Sequence, residues 1–91
     1  MTKKLTKREI AEDIKKIPGW QRQGDEISRL YTFSGFITAM AFVNHVADLA
    51  ETMDHHPDIL IQYRKVKLTL STHSAGGLTD LDFMLAQKID A

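Results

Sequence analysis

The chain has 91 residues, 43% hydrophobic and 26% charged, with no cysteine. That suffices for one small globular core spanning residues 1–91 and excludes a second core, a disulfide scaffold and a disordered chain. Twelve Lys and Arg balance twelve Asp and Glu, so no net field draws a polyanion and direct nucleic-acid binding is not expected.

Met1-Thr2-Lys3-Lys4 is basic, but no apolar run follows it, so no secretory leader is expected. No stretch approaches membrane-spanning length, and a cytoplasmic location is the default expectation. Thr6-Lys7-Arg8-Glu9 has capping-box spacing, with Leu5 and Ile10 placed as a hydrophobic staple across it. Ile10, Ile14 and Ile17 continue at helical spacing until Pro18-Gly19 ends the element. Residues 20–33 read as two strands around a Gln23-Gly24-Asp25 turn, with Ile27, Tyr31 and Phe33 on one face.

Ser34 is the expected N-cap of a long helix reaching Met53. Phe36, Ile37, Met40, Phe42, Val43, Val46 and Leu49 make that helix apolar over more of its circumference than one sheet face can cover. A homo-oligomer, dimer or tetramer, is therefore expected, with residues 34–53 in the interface.

Pro57 pushes His56 out of helical backbone. A second hairpin follows, with strands over residues 59–63 and 66–73. Val66, Leu68, Leu70 and Thr72 share its apolar face, while Lys67, Thr69, Ser71 and His73 share the other. Leu78, Thr79, Asp82 and Phe83 repeat the staple-and-cap pattern and open a last helix. The order is α-β-β-α-β-β-α. Short links make it an α+β fold: one four-stranded antiparallel sheet with helices packed on one face.

Three of the four histidines, His55, His56 and His73, fall at the two ends of the second hairpin. The fold brings those ends to one edge of the sheet, and imidazole is the side chain best suited to proton transfer near neutral pH. Glu51 and Asp54 lie close enough in sequence to orient or polarise an imidazole. His45, on the long helix, has no such company and reads as a surface or interface residue. No metal is expected: His55 and His56 are adjacent in extended backbone and diverge, and no His-x-x-x-His pair occurs. Ser71 and Ser74 flank His73, but no nucleophile elbow accompanies them.

Glu51-x-x-x-His55-His56-Pro57, then Tyr63, His73 and Asp82, resembles the signature of the pterin-4a-carbinolamine dehydratases. Val66-Lys67-Leu68-Thr69-Leu70-Ser71-Thr72-His73 resembles a strand typical of that family, and the likeness spans essentially the whole chain. Two positions depart from the usual pattern: Ile59 replaces an aromatic residue, and Leu81 an arginine before the last aspartate. The resemblance implies dehydration of 4a-hydroxytetrahydropterin to quinonoid dihydropterin. This recycles the tetrahydropterin oxidised by aromatic amino-acid hydroxylases, a functional link rather than a physical partner. It further implies His55, His56 and His73 as catalytic residues, and Glu51, Asp54, Pro57, Ser71, Thr72 and Asp82 as substrate-binding residues. The pterin is then the substrate, with no resident cofactor. Asp82 also completes the pattern Thr79-x-x-Asp82, so a helix cap alone would account for it. The competing reading is an oligomeric adaptor or coactivator-type protein acting through residues 34–53. Such a protein has no physical need for the histidine cluster.

Overall fold

Thr6 opens the first helix as its spacing predicts. Its hydroxyl accepts the Glu9 N–H at 3.2 Å, and the Glu9 carboxylate accepts the Thr6 N–H at 2.9 Å. The structure, a computed structural model, describes residues 3–91, so the leader reading at Met1 and Thr2 lies outside the described residues. Helix α1 (Lys7–Asp13) is shorter than the isoleucine spacing implies, because Ile14–Lys16 tightens into a 3₁₀ turn. Pro18 explains the tightening, since it disfavours helical backbone at Ile17. Ile10 and Ile17 are buried all the same.

Four strands follow: β1 (Gln21–Gln23), β2 (Glu26–Thr32), β3 (Asp58–Gln62) and β4 (Lys65–Leu70). They form one antiparallel sheet in the order β1-β2-β4-β3. The register pairs Ile27 with Leu70, Arg29 with Leu68 and Tyr31 with Val66 across β2 and β4. Because side chains alternate, Ile27, Val66, Leu68 and Leu70 point to one face, and all four are completely buried. Burying each is worth roughly 1.5–3 kcal/mol, which fixes the register, since a one-residue slip would expose all of them together. Leu30, Lys67 and Leu60 occupy one row of the opposite face and are exposed.

The helices cover the buried face. Ala39, Val46 and Ala50 of α2 (Phe36–Met53) and Phe83, Leu85, Ala86 and Ile89 of α3 (Asp80–Ile89) share the core with those strands. Phe42, Val43, Leu49 and Met53 are half-buried against it, so sheet and α3 absorb most of the apolar circumference of α2. Phe36 (47% exposed) and Ile37 (79%) remain outside.

Two local expectations change. Gly35, in extended backbone, takes the cap position of α2 and offers no side-chain cap, while the Ser34 hydroxyl lies 3.3 Å from that of Thr38. Strand β4 stops at Leu70 instead of continuing through residue 73. Thr72 and Gly77 exchange N–H···O bonds of 3.0 and 3.3 Å, folding the chain back on itself. His73–Ala75 becomes a 3₁₀ turn, closed by Gly76 in the left-handed conformation that glycine adopts without strain.

A polar cluster unforeseen in the sequence anchors the end of α3. Asp90 accepts the indole N–H of Trp20 at 2.7 Å, the Arg29 guanidinium at 3.0 Å and the Tyr31 hydroxyl at 2.5 Å. Burial, then the Asp90 carboxylate, pushes the Tyr31 phenol well above its ordinary range. The same guanidinium lies against Gly19 so closely that a Cβ there would come within 2.8 Å of it.

Candidate active site

The exit from α2 sets the first two histidines. Asp54 adopts left-handed backbone (φ 50), a conformation aspartate tolerates better than most residues, and the His55 N–H returns to the Ala50 carbonyl at 3.0 Å. The chain reverses so sharply that His55 turns inward while His56, next to Pro57, stays outside. His55 is 8% exposed, and its Nε2 lies 2.6 Å from Asp82 Oδ1.

Asp82 is completely buried and saturated with donors. Its Oδ2 accepts the Thr79 N–H at 2.9 Å and the Thr72 hydroxyl at 2.9 Å. Thr72 spends its single hydroxyl proton there, so in its 2.8 Å contact with Thr79 the Thr79 hydroxyl is the donor. Every member then has a partner, the condition under which a buried polar network rigidifies a site. The helix cap and the histidine contact are thus made by one carboxylate: Oδ2 closes the capping box while Oδ1 holds the imidazole.

The network also sets the tautomer of His55. A carboxylate oxygen can only accept, so Nε2 carries the proton toward Asp82 and, in the neutral ring, Nδ1 has the lone pair. Among the described residues no buried side-chain N or O lacks a partner, and His55 Nδ1 bonds to nothing. The small surface His55 retains therefore includes Nδ1. A buried ring with one nitrogen fixed and the other open to a ligand is the geometry of a proton acceptor.

The other candidates are distributed less tightly. His56 Nε2 meets Glu51 Oε2 at 2.6 Å on the surface, an exposed pair that orients more than it stabilises. Among the described residues the Asp54 carboxylate makes no hydrogen bond or ion pair with a histidine; its contribution here is its backbone conformation. Ser71 and Pro57 are half-buried and Thr72 belongs to the Asp82 network. His73 is exposed on its 3₁₀ turn, next in sequence to Thr72. With Ser71, Gly76, Gly77, Gln23, Asp25 and Glu26 it lines a cleft of about 430 Å³ to which neither His55 nor His56 contributes. Pairing of Ile27 with Leu70 and of Asp58 with Thr69 puts the first hairpin turn, residues 71–73 and the α2 exit at one end of the sheet. His45 is exposed and stands alone.

A larger hollow of about 700 Å³, lined by Ile17, Pro18, Gly19, Arg29 and Asp90 among others, holds no histidine. Its one half-buried cation, Arg29, is already bound by Asp90 and the Pro18 carbonyl. Among the described residues no three His, Asp or Glu side chains converge as metal ligands. No helix there is long and apolar enough to cross a membrane.

The family model described as pterin 4 alpha carbinolamine dehydratase matches residues 3–91. The chain belongs to that family. Among its relatives is a protein of Thermomicrobium roseum, provisionally named a pterin-4-alpha-carbinolamine dehydratase, 56% identical over 88% of this chain and 86% of its own. A relative in Sulfurisphaera tokodaii with the same provisional name is 49% identical over 97% of this chain and 95% of its own. A crystal structure described as a transcriptional coactivator/pterin dehydratase from Brucella melitensis superposes with a TM-score of 0.92 at 38% identity. It covers 96% of this chain and 95% of its own, and it shares the three helices and four-stranded antiparallel sheet read from the sequence. A pterin dehydratase-like RuBisCO assembly factor of the alpha-carboxysome, at 22% identity and a TM-score of 0.63, shares the fold alone, over 78% of this chain and 82% of its own. Within the dehydratase family's fold, sequence reasoning missed Thr79 as a partner of Thr72 and missed the Gln23–Glu26 side of the cleft. The capping pattern was a usable signal for Thr79; for the hairpin turn only the β2–β4 register could have supplied one.

Proposed function

We propose that this protein dehydrates 4a-hydroxytetrahydropterin to quinonoid dihydropterin by histidine acid–base catalysis, so returning oxidised tetrahydropterin to use. The observation that carries the reading is His55, held by Asp82 at Nε2 and open at Nδ1. The reaction breaks the C4a–OH bond, with a proton delivered to the departing hydroxyl and one withdrawn from N5. His55 Nδ1 is suited to take the N5 proton, while the exposed His73 and His56 supply the proton that leaves with water. Asp82, being wholly buried, acts through His55 rather than on the ligand. Glu51 steadies His56, and Ser71 and Pro57 border the ligand. No resident metal or cofactor takes part, because both proton transfers are within reach of imidazole.

The test is acceleration of carbinolamine dehydration by purified protein, measured before and after exhaustive chelation. Activity is expected to persist unchanged. Loss with EDTA and return with zinc would overturn the histidine mechanism, and no acceleration in either state would overturn the activity.

The reading includes a cytoplasmic location, a functional link to an aromatic amino-acid hydroxylase, and a homo-oligomer, dimer or tetramer, whose interface includes the start of α2. Phe36 and Ile37 support the last of these, being large apolar side chains that the chain's own core leaves exposed. Replacing Ile37 by Asp is expected to shift the protein to smaller species in size exclusion with light scattering, without unfolding it, since the side chain is 79% exposed. A wild-type protein that is monomeric at micromolar concentration would refute the oligomer. The same exposed turn is the observation favouring an additional adaptor role, which would survive loss of all three histidines.

A further inference from the structure

His55 and His73 stand on different elements, one at the exit of α2 and one on the turn after β4. Taking a proton from N5 and delivering one to the hydroxyl on the neighbouring C4a requires that base and acid keep a fixed relation to each other. Thr72 lies between them. It is 6% exposed, and each of its polar groups is engaged inside the protein. Its hydroxyl donates to Asp82 Oδ2 at 2.9 Å and accepts from the Thr79 hydroxyl at 2.8 Å. Its N–H donates to the Gly77 carbonyl at 3.0 Å, while its own carbonyl accepts the Ala75 N–H at 3.0 Å and the Gly77 N–H at 3.3 Å. The side chain thus holds the carboxylate that lies 2.6 Å from His55 Nε2, and the backbone shapes the turn that presents His73, the next residue.

The two halves of Thr72 therefore act on different histidines. We propose that Thr72 is a positioning residue that couples His55 to His73: its hydroxyl orients Asp82, and through it the His55 ring, relative to a turn built on its own backbone. The inference rests on the dehydratase reading for the reaction it serves. The family resemblance counts Thr72 among the groups that bind the ligand, but its hydroxyl proton is committed to Asp82, so the side chain has none to offer a pterin. The route is short. One peptide linkage joins His73 to Thr72, one hydrogen bond joins Thr72 to Asp82, and one more joins Asp82 to His55. The Thr79 N–H reaches the same carboxylate oxygen at 2.9 Å, but it belongs to the cap of the helix that carries Asp82. That bond ties the carboxylate only to α3. The Thr72 hydroxyl ties it to the turn, and two donors from two elements fix the carboxylate plane where one would let it pivot.

The experiment compares Thr72→Val, which keeps the shape and removes the hydroxyl, with Thr72→Ser, which keeps the hydroxyl and removes a methyl group. Dehydration kinetics are read beside the downfield proton resonance of His55 Nε2–H, the ring proton held in the 2.6 Å bond to Asp82. Thr72→Val is expected to lower kcat about tenfold at unchanged KM, the scale of lost alignment, and to broaden that resonance in the free protein. Thr72→Ser is expected to recover most of the rate and the sharp resonance. A raised KM at unchanged kcat would make Thr72 a ligand contact, and equal losses in both variants would make it packing. An unaltered rate and resonance in Thr72→Val would make the hydroxyl idle; each of these overturns the proposal. Should Thr72→Val fail to fold, with a buried carboxylate one donor short, Thr72→Cys takes its place, because a thiol donates only weakly and should give the same losses in smaller measure. A resonance that broadens in Thr72→Val alone, in a protein that does not dehydrate, would uphold the coupling and sink the dehydratase reading. Dehydration that ignores the hydroxyl, with the resonance intact, would do the reverse.

Discussion

Asp82→Asn is expected to lower the dehydration rate about 10²-fold while leaving the protein folded. In the variant the amide oxygen can occupy the place of Oδ2 and still accept the Thr72 hydroxyl and the Thr79 N–H, so cap and network survive. The amide nitrogen must then take the place of Oδ1 and offer an N–H to His55 Nε2. Nε2 becomes the acceptor, the ring proton moves to Nδ1, and the nitrogen facing the ligand can no longer receive a proton. The check is a pair of measurements: kcat against the wild type, and the imidazole tautomer from ring ¹⁵N shifts. A variant with full activity and the reversed tautomer would remove His55 from the chemistry. Asp82→Ala is a different experiment, because it leaves three donors facing a buried void and should cost on the order of 3 kcal/mol in denaturant unfolding. His55→Ala likewise mixes stability with rate, since it strips a partner from a fully buried carboxylate. The conservative amide separates the two effects.

His73→Ala is expected to lower the rate about 10²-fold with no change in unfolding midpoint. His73 is exposed on a turn whose shape is set by the Thr72–Gly77 bonds and by Gly76, none of which involves the imidazole. The loss should therefore appear in kcat alone. His45→Ala provides the comparison, as the same residue type, also exposed, within α2 rather than at its exit. It should be neutral. If His45→Ala proves as damaging as His73→Ala, the site is misplaced.

How far the chain could be read depended on the range of each interaction. Both capping boxes were legible because Thr6 with Glu9 and Thr79 with Asp82 sit three residues apart and bond within one helical turn. The alternation Val66, Leu68, Leu70, Thr72 placed all four on the buried side, since period-2 geometry leaves no other choice in a half-buried strand. The end of that strand was misjudged because a β pattern continues through Ser71 and Thr72 in sequence, whereas a glycine-assisted turn draws Thr72 out of the ladder. The α2 cap shifted by one residue for a similarly local reason: Gly35 reaches extended backbone without needing Ser34 to cap it.

What the sequence by itself determined was the element order, the faces of the strands and the position of the three histidines, which follow from patterns a few residues long, and the family, which follows from residue types at fixed spacings along the chain. The tertiary structure alone decided what the histidines do not share. It buried His55 against Asp82, 27 residues away, and left His56 outside although the two are adjacent. It seated His73 opposite Asp25 and Glu26, and it brought Asp90 to Trp20, 70 residues earlier in the chain. No local pattern encodes such pairings. They exist because folding closes long loops so that an apolar face can be buried, and each polar group carried inside with that face must then find its partner wherever the closure has brought one.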